Sequence, residues 1–243
     1  MNRPLSLAIA LALPIALTAC NSSSNKPVAQ NSASQPASST PTPTPTAAGG
    51  TDAQRVAAIQ LTAADLPSGW KTQALTTTPA KQREEDAYFD ACLGVPTIED
   101  IQTTSSEKDF ARPDGFAFAG GLINVTKTAA QAQQDQVALT GPKAVSCGVA
   151  DAKKFLTPPK GARIVSITGS KLDVPSGQIG IRTVITLKLS NGRDVTLTTD
   201  DIGIIVNRFE VQLNFTGVVQ PVQKTLEDAV TAKVFARAMA NAA

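Results

Sequence analysis

The chain predicts an α+β fold, an antiparallel β-sheet packed against helices, on three observations. Apolar residues alternate with period two through the last third, at Ile179, Ile181, Ile185, Leu187 and Leu189, and again at Phe209, Val211, Leu213 and Phe215. Ser190-Asn191-Gly192-Arg193 is a two-residue hairpin signal between two such runs. Helical spacing brackets the strands, most clearly in the stripe Val222, Leu226, Val230, Val234 and Ala238 that follows Pro221. Helices before, between and after antiparallel strands give an α+β layer arrangement.

Three segments divide the chain. Residues 1–19 read as a signal peptide: Asn2 and Arg3 open it, an apolar stretch runs from Leu5 to Leu17 around Pro14, and Thr18-Ala19 are small. That stretch spans about thirteen residues, short of the roughly twenty a membrane-spanning helix needs. Residues 20–50 begin with Cys20 and continue in Ser, Thr, Pro, Ala, Asn and Gln, with Val28 and Lys26 as the main exceptions. Such a composition buries no core, so the segment is expected to be a disordered tether, locally extended along Pro41–Thr46. Residues 51–243 are read as one α+β domain, of a size sufficient for a single hydrophobic core.

Within the domain, Asp52 is expected to cap a short helix carrying Val56 and Ile59, and Thr62 with Asp65 starts a second, ended by Pro67-Ser68-Gly69. A helix beginning near residue 82 carries Tyr88, Phe89, Cys92 and Leu93 and stops at Gly94, and Thr97 caps a turn around Ile98 and Ile101. Phe116 and Phe118 alternate in one phase and Ile123 and Val125 in the other, which predicts a β-bulge at Gly120-Gly121. Helices follow over the Ala/Gln-rich Thr126–Thr140 and, after Gly141-Pro142, through Val145, Val149, Ala152 and Leu156 to Pro158-Pro159. Arg163–Leu172 reads as a strand. Thr199–Ile202 is expected to turn, and Ile205 to Phe215 to form a long strand with Glu210, Gln212 and Asn214 facing away from its apolar side.

The chain of 243 residues has 22 basic and 20 acidic residues, and the leader removes only Arg3, so the remainder is close to neutral. No basic cluster marks it as a nucleic-acid binder. Histidine is absent. That excludes Ser-His-Asp and Cys-His nucleophile systems and His-containing zinc sites. Of three cysteines, Cys20 stands at Leu17-Thr18-Ala19-Cys20, which resembles the lipobox of bacterial lipoproteins. The resemblance implies a diacylglyceryl thioether on Cys20, cleavage just before it, and a domain held on the outer face of the cell membrane by its acyl chains. Cys92 and Cys147 are then left to pair in an oxidising compartment. Such a pair closes a loop of roughly 55 residues, and the chain-entropy account gives about 4 kcal/mol. Two redox-active thiols are the alternative, without a Cys-x-x-Cys spacing to support them.

Acid/base catalysis without histidine would need paired carboxylates, and the candidates are Glu84, Asp86, Asp90, Glu99, Asp100, Asp200 and Asp201. Glu84 and Asp86 read instead as first-turn helix residues, and Asp200-Asp201 as a strand connection without the ligand spacing of a calcium loop. Ser105-x-x-Lys108 matches one element of a serine-lysine acyl-transfer site whose companion motifs are missing. No catalytic residue, metal site or cofactor is assigned. Trp70 and Tyr88, each unique of its kind, are the candidate ligand contacts.

Leu61-Thr62-Ala63-Ala64-Asp65-Leu66-Pro67-Ser68-Gly69-Trp70, the helix ending Cys92-Leu93-Gly94, Val145-Ser146-Cys147 and the late hairpin with its terminal helix resemble actinobacterial envelope lipoproteins and the external sensor domains of mycobacterial serine/threonine kinases. The resemblance spans most of residues 55–240, and it departs from the kinase domains in having cysteines for one disulfide rather than two. It implies a non-catalytic binding or sensing module whose partner is an envelope protein, a glycan or a lipid. A lipid or glycolipid carrier with an apolar cavity between sheet and helices is the alternative, and a histidine-free hydrolase a third.

Overall fold

The computed structural model describes residues 50–73, 79–96, 101–105, 109–175 and 177–242. Cys20 with its leader and tether, Thr97–Asp100 and Lys108 lie outside them. Among the described residues the chain opens with α1 (Asp52–Ile59), a 3-10 turn (Ala63–Asp65), β1 (Lys71–Gln73) and α2 (Pro79–Leu93). Strands β2 (Ile101–Ser105), β3 (Asp109–Ala111) and β4 (Ala117–Thr126) come next, then α3 (Ala129–Thr140) and α4 (Ala144–Phe155). The last third runs β5 (Ala162–Lys171), β6 (Gln178–Leu189), β7 (Asp194–Val206), β8 (Phe209–Val218) and α5 (Lys224–Asn241). All strand pairs are antiparallel, in the order β1-β3-β4-β8-β7-β6-β5, with β2 also beside β4. The fold is α+β, an antiparallel sheet with helices on both faces.

Each face has its own cover. Phe209, Val211, Leu213 and Phe215 of β8, with Ile202 and Ile204 of β7 and Ile123 and Val125 of β4, pack under α1 and α5. Helix α5 contributes Val230, Val234 and Ala238, spaced four apart and wholly buried. Each large side chain buried this way stabilises the fold by about 1.5–3 kcal/mol relative to exposure. Arg237 fastens the same helix to the 3-10 turn: its guanidinium donates to both carboxylate oxygens of Asp65 at 2.7 and 2.8 Å and to the carbonyls of Ile59 and Gln60. Burial pushes the Asp65 carboxyl up, yet the hydrogen bonds from Arg237 and Thr62 outweigh it and hold the group below its ordinary value.

The opposite face carries α2, α3 and α4. Ile185, Leu187, Leu197 and Val218 meet Ala152 at one end. Phe89, Leu139, Cys147 and Ile179 cluster at the other. Cys92 and Cys147 are joined by a disulfide, their Cα atoms 5.7 Å apart, and this ties α2 to α4.

Several local expectations are corrected. Thr51, not Asp52, caps α1, through a capping box with Gln54. Ile101 opens strand β2 rather than closing a turn. The pairing of β4 with β8 runs unbroken from Ala117 to Val125, so Gly120-Gly121 forms no bulge there. Both faces of β4 are buried, so Phe118 and Ile123 each find a core without a change of phase. Gly120 serves close approach: a Cβ there would collide with the side-chain oxygens of Asp109 and Asn214. The Thr199–Ile202 turn is absent, because β7 continues to Val206 and the chain reverses at Asn207, whose φ of 54° is in the left-handed region. The Asn191-Gly192 hairpin has a three-residue loop, closed by the Leu189 amide on the Arg193 carbonyl, with Gly192 at φ 81°. Helix α2 begins at Pro79, which puts Glu84 and Asp86 beyond its first turn.

Candidate functional site

Along the middle of the sheet, the face beneath α2–α4 is polar. Successive β8 residues on that face are Glu210, Gln212, Asn214 and Thr216, and their neighbours on β7 are Ile205, Gly203, Asp201 and Thr199. On the other flank β4 supplies Asn124, Leu122, Gly120 and Phe118. Thr183 of β6 continues the row beside Thr199. The period-two pattern that points β8's phenyl rings at α5 therefore points a carboxyl and two amides into the opposite layer.

The covering helices add acids rather than bases. Glu85 and Asp86 are adjacent and buried on α2 with Asp90 about one turn further on, Asp135 sits on α3 and Asp151 on α4. Asp90 and Asp151 are 0% exposed, Glu210 1%, Glu85 2%, Asp135 6% and Asp86 8%, so six carboxyl groups are shut between helices and sheet. Carboxylates are almost never so buried unless paired. Lys81 stands 3.7 Å from Glu85 at the margin. Among the described residues both carboxyl oxygens of Asp90 and both of Asp151 have no hydrogen-bond partner, and neither has the hydroxyl of Thr183, itself 0% exposed.

Their protonation follows from burial. Desolvation pushes Asp90 up to about 8 against an opposing positive charge, and the like charges of Asp86, Asp135 and Glu210 add to it. Asp151 is likewise pushed up to about 8 by burial, with Glu85 and Asp86 adding and Lys154 opposing. Glu210 is raised by burial, against an opposing positive charge, and by the hydrogen bond it shares with Asp135. Asp201 rises to about 7, again through burial, against a weak hydrogen bond from Gln212 at 3.5 Å. The layer can therefore present neutral carboxyl donors near pH 7 and gain negative charge once a cation or a rise in pH removes their protons.

A second ionic group lies on the α5 face. Arg182 of β6 grips Asp200 of β7 with two hydrogen bonds of 2.6 and 2.5 Å, and burial raises Glu227 of α5 beside them. These three groups are explained as a buried structural pair with a protonated neighbour.

Trp70 packs half-buried against the core under α1 and α5, away from the polar layer. Tyr88 stacks edge-on against Phe155 with ring centroids 5.6 Å apart, and the Lys154 ammonium stands 4.1 Å from its ring centre. Of the carboxylates singled out in sequence, Asp86 and Asp90 enter the layer together. Asp200 and Asp201, adjacent on β7, point to opposite faces. Glu85, Asp135, Asp151 and Glu210 are not among those candidates. The available signal was Glu210-x-Gln212-x-Asn214 on a strand with helices on both sides in the chain, where a side turned from one core enters another layer.

No family model matches this chain, and no curated protein matches its sequence. Among solved structures it is similar to the extracellular domain of PknH from Mycobacterium tuberculosis, at 12% identity and a TM-score of 0.42, over 76% of this chain and 95% of that one. An uncharacterized protein of Mycobacterium smegmatis is similar at 11% identity and a TM-score of 0.34, over 75% of this chain and 96% of that one. Among the described residues no helix is long and apolar enough to cross a membrane.

Proposed function

We propose that this chain is a lipid-anchored extracytoplasmic binding module of the cell envelope, and that its ligand site is the polar layer between the sheet and α2–α4. The observation that carries the reading is the pair of wholly buried, unpartnered carboxyl groups of Asp90 and Asp151. Unpaired carboxyls in a folded interior cost free energy that an apolar residue of similar size would not. Buried polar groups left unsatisfied call for an explanation, and a bound ligand supplies one. The disulfide supports the compartment, since such bonds persist where the surroundings are oxidising. The lipobox-like Leu17-Thr18-Ala19-Cys20 supports the anchor.

A polar lining favours a polar ligand over the acyl chains that a lipid carrier would hold. It also disfavours nucleic acid, because phosphates would face like charge. Two measurements test the reading. Cys20→Ser should abolish incorporation of labelled fatty acid and release the chain from membranes. The full chain, purified in mild detergent from its own envelope and examined by native mass spectrometry, should carry a co-purifying polar mass that is lost in Asp90→Leu. A bare mass for the unaltered chain, with fatty acid absent from Cys20, would overturn it.

A further inference from the structure

The flank formed by α4 and the edge strand β5 carries exposed charge of one sign. From Ala129 to Lys171, through α3, α4 and β5, the acids are Asp135 and Asp151, both buried. The bases are Lys143, Lys153, Lys154, Lys160, Arg163 and Lys171, all exposed. They are spread along the sequence, so no basic run announces them, and the fold collects them. Helix α4 lies antiparallel to β5: Val145 and Val149 of its first half rest on Gly169 near the end of the strand, while Ala152 and Leu156 cluster with Ile164 and Ile167 nearer its start. Lys143 is thereby brought toward Lys171, whose ammonium donates to the Thr140 carbonyl at 3.0 Å, and Lys153 and Lys154 toward Lys160 and Arg163. Among the described residues the ion pairs use other cations, so none of the six is spent on a carboxylate. The exposed acids nearby have bases of their own. Asp194 is held by Lys188 at 2.9 Å, Asp173 acts on Lys224, and Glu84 of α2 follows the exposed Lys81 and Arg83.

Strand β5 pairs with β6 on one side and is an edge of the sheet. Its register breaks between Ile164 and Ser166, at a Val165 that is 47% exposed, and its ends are cationic. A bulge and like charges blunt such an edge against another strand. A second copy of the chain would also bring the same charge to the contact. An anionic surface is what complements it.

We infer that the α4–β5 flank docks on the anionic phospholipid headgroups of the membrane to which the chain is tethered. The inference rests on the anchor proposed above for its place at that membrane, and is independent of the polar layer. Each Lys or Arg brought to an anionic lipid surface contributes about fivefold in binding, so a handful suffices. Residues 21–50, with the composition of a flexible coil, reach about 30 Å from Cys20. That confinement gives the flank a high effective concentration of headgroups, which makes a weak contact sufficient.

The test removes the acyl chains so that the flank is read alone. The mature chain with Cys20→Ser, which keeps every described residue, is sedimented with phosphatidylcholine vesicles containing about one third phosphatidylglycerol. It should bind at about 0.1 M salt, lose about tenfold or more at about 0.5 M, and leave pure phosphatidylcholine vesicles bare. Lys153→Gln with Lys160→Gln should weaken binding by about twentyfold. Lys71→Gln with Arg112→Gln removes the same charge from β1 and β3 at the other edge of the sheet and should leave binding nearly unchanged. All four positions are exposed or half-exposed, so melting temperatures should stay the same. Failure to bind the anionic vesicles at low salt, equal binding to neutral vesicles, or equal losses in the two double variants would overturn the inference. If the chain binds soluble poly-glutamate through Lys153 and Lys160 but not the vesicles, the flank serves an acidic polymer and the membrane assignment falls. Fatty acid on Cys20 of the unaltered chain without vesicle binding by the Cys20→Ser chain would sink the docking and leave the anchor. Vesicle binding without fatty acid on Cys20 would sink the anchor and leave the docking.

Discussion

At Glu227 the terminal helix drives a carboxyl against the sheet beside another carboxylate. The group is 1% exposed, and Asp200 next to it is already held by Arg182. Burial first, and then the charge of Asp200 and the hydrogen bond shared with it, raise Glu227 well above its ordinary value of 4.5. The folded chain thus keeps a proton that the unfolded chain has lost, so stability falls as pH rises from 4.5 through the raised value. Below 4.5 both states are protonated and the penalty is absent. Glu227→Gln keeps the shape and removes the titration. It should leave the midpoint of urea denaturation unchanged near pH 4 and stabilise by on the order of 2 kcal/mol at pH 9. A difference independent of pH would show that Glu227 is not held protonated.

At the scale of the element, the disulfide matters because of where α2 rests. That helix packs chiefly on α4, and it reaches the sheet through contacts such as Phe89 with Ile179. Cys92→Ala with Cys147→Ala should therefore lower stability by about 4 kcal/mol on the chain-entropy account. The loss should be local as well: amide exchange in α2 should accelerate more than exchange in β7 and β8. Uniform acceleration would mean that α2 is held by other contacts. Elements with strong internal period were legible in the sequence, as in α5 with Val230, Val234 and Ala238, and in β6 with Ile179, Ile181 and Ile185. Elements whose local signal was overruled by a distant partner were not. The turn expected from Thr199-Asp200-Asp201 gives way because Arg182, on the neighbouring strand β6, holds Asp200 in the ladder. The short strands β1 and β3 left no pattern at all, since each has three residues.

For the whole molecule, two helical layers on one sheet decide how the acidic residues behave. From sequence, the polar alternation of β8 named the side away from one core, but only the tertiary placement of α2, α3 and α4 turns that side into an interior. The consequence is a stability profile inclined toward acid. Asp90 and Asp151, pushed to about 8, and Asp201, pushed to about 7, each keep a proton in the folded state after the unfolded chain has released its own near the ordinary 3.8. Glu210 behaves in the same direction. Each makes the folded state less favourable as pH rises from about 4 toward 8. Asp65 has the opposite sign: held below 3.8, it contributes stability above that value and loses it as pH falls through its lower folded value. The two trends place the maximum near pH 4–5, with a decline of several kcal/mol by pH 8.5. Urea denaturation of the full chain, with its disulfide intact, should follow that course between pH 3 and pH 9. Asp90→Asn with Asp151→Asn should flatten the decline on the alkaline side and leave the acid limb in place. A maximum at pH 7 or above would mean that the carboxyls beneath α2 and α4 meet water or a cation in the free chain, and the layer would then be open rather than closed.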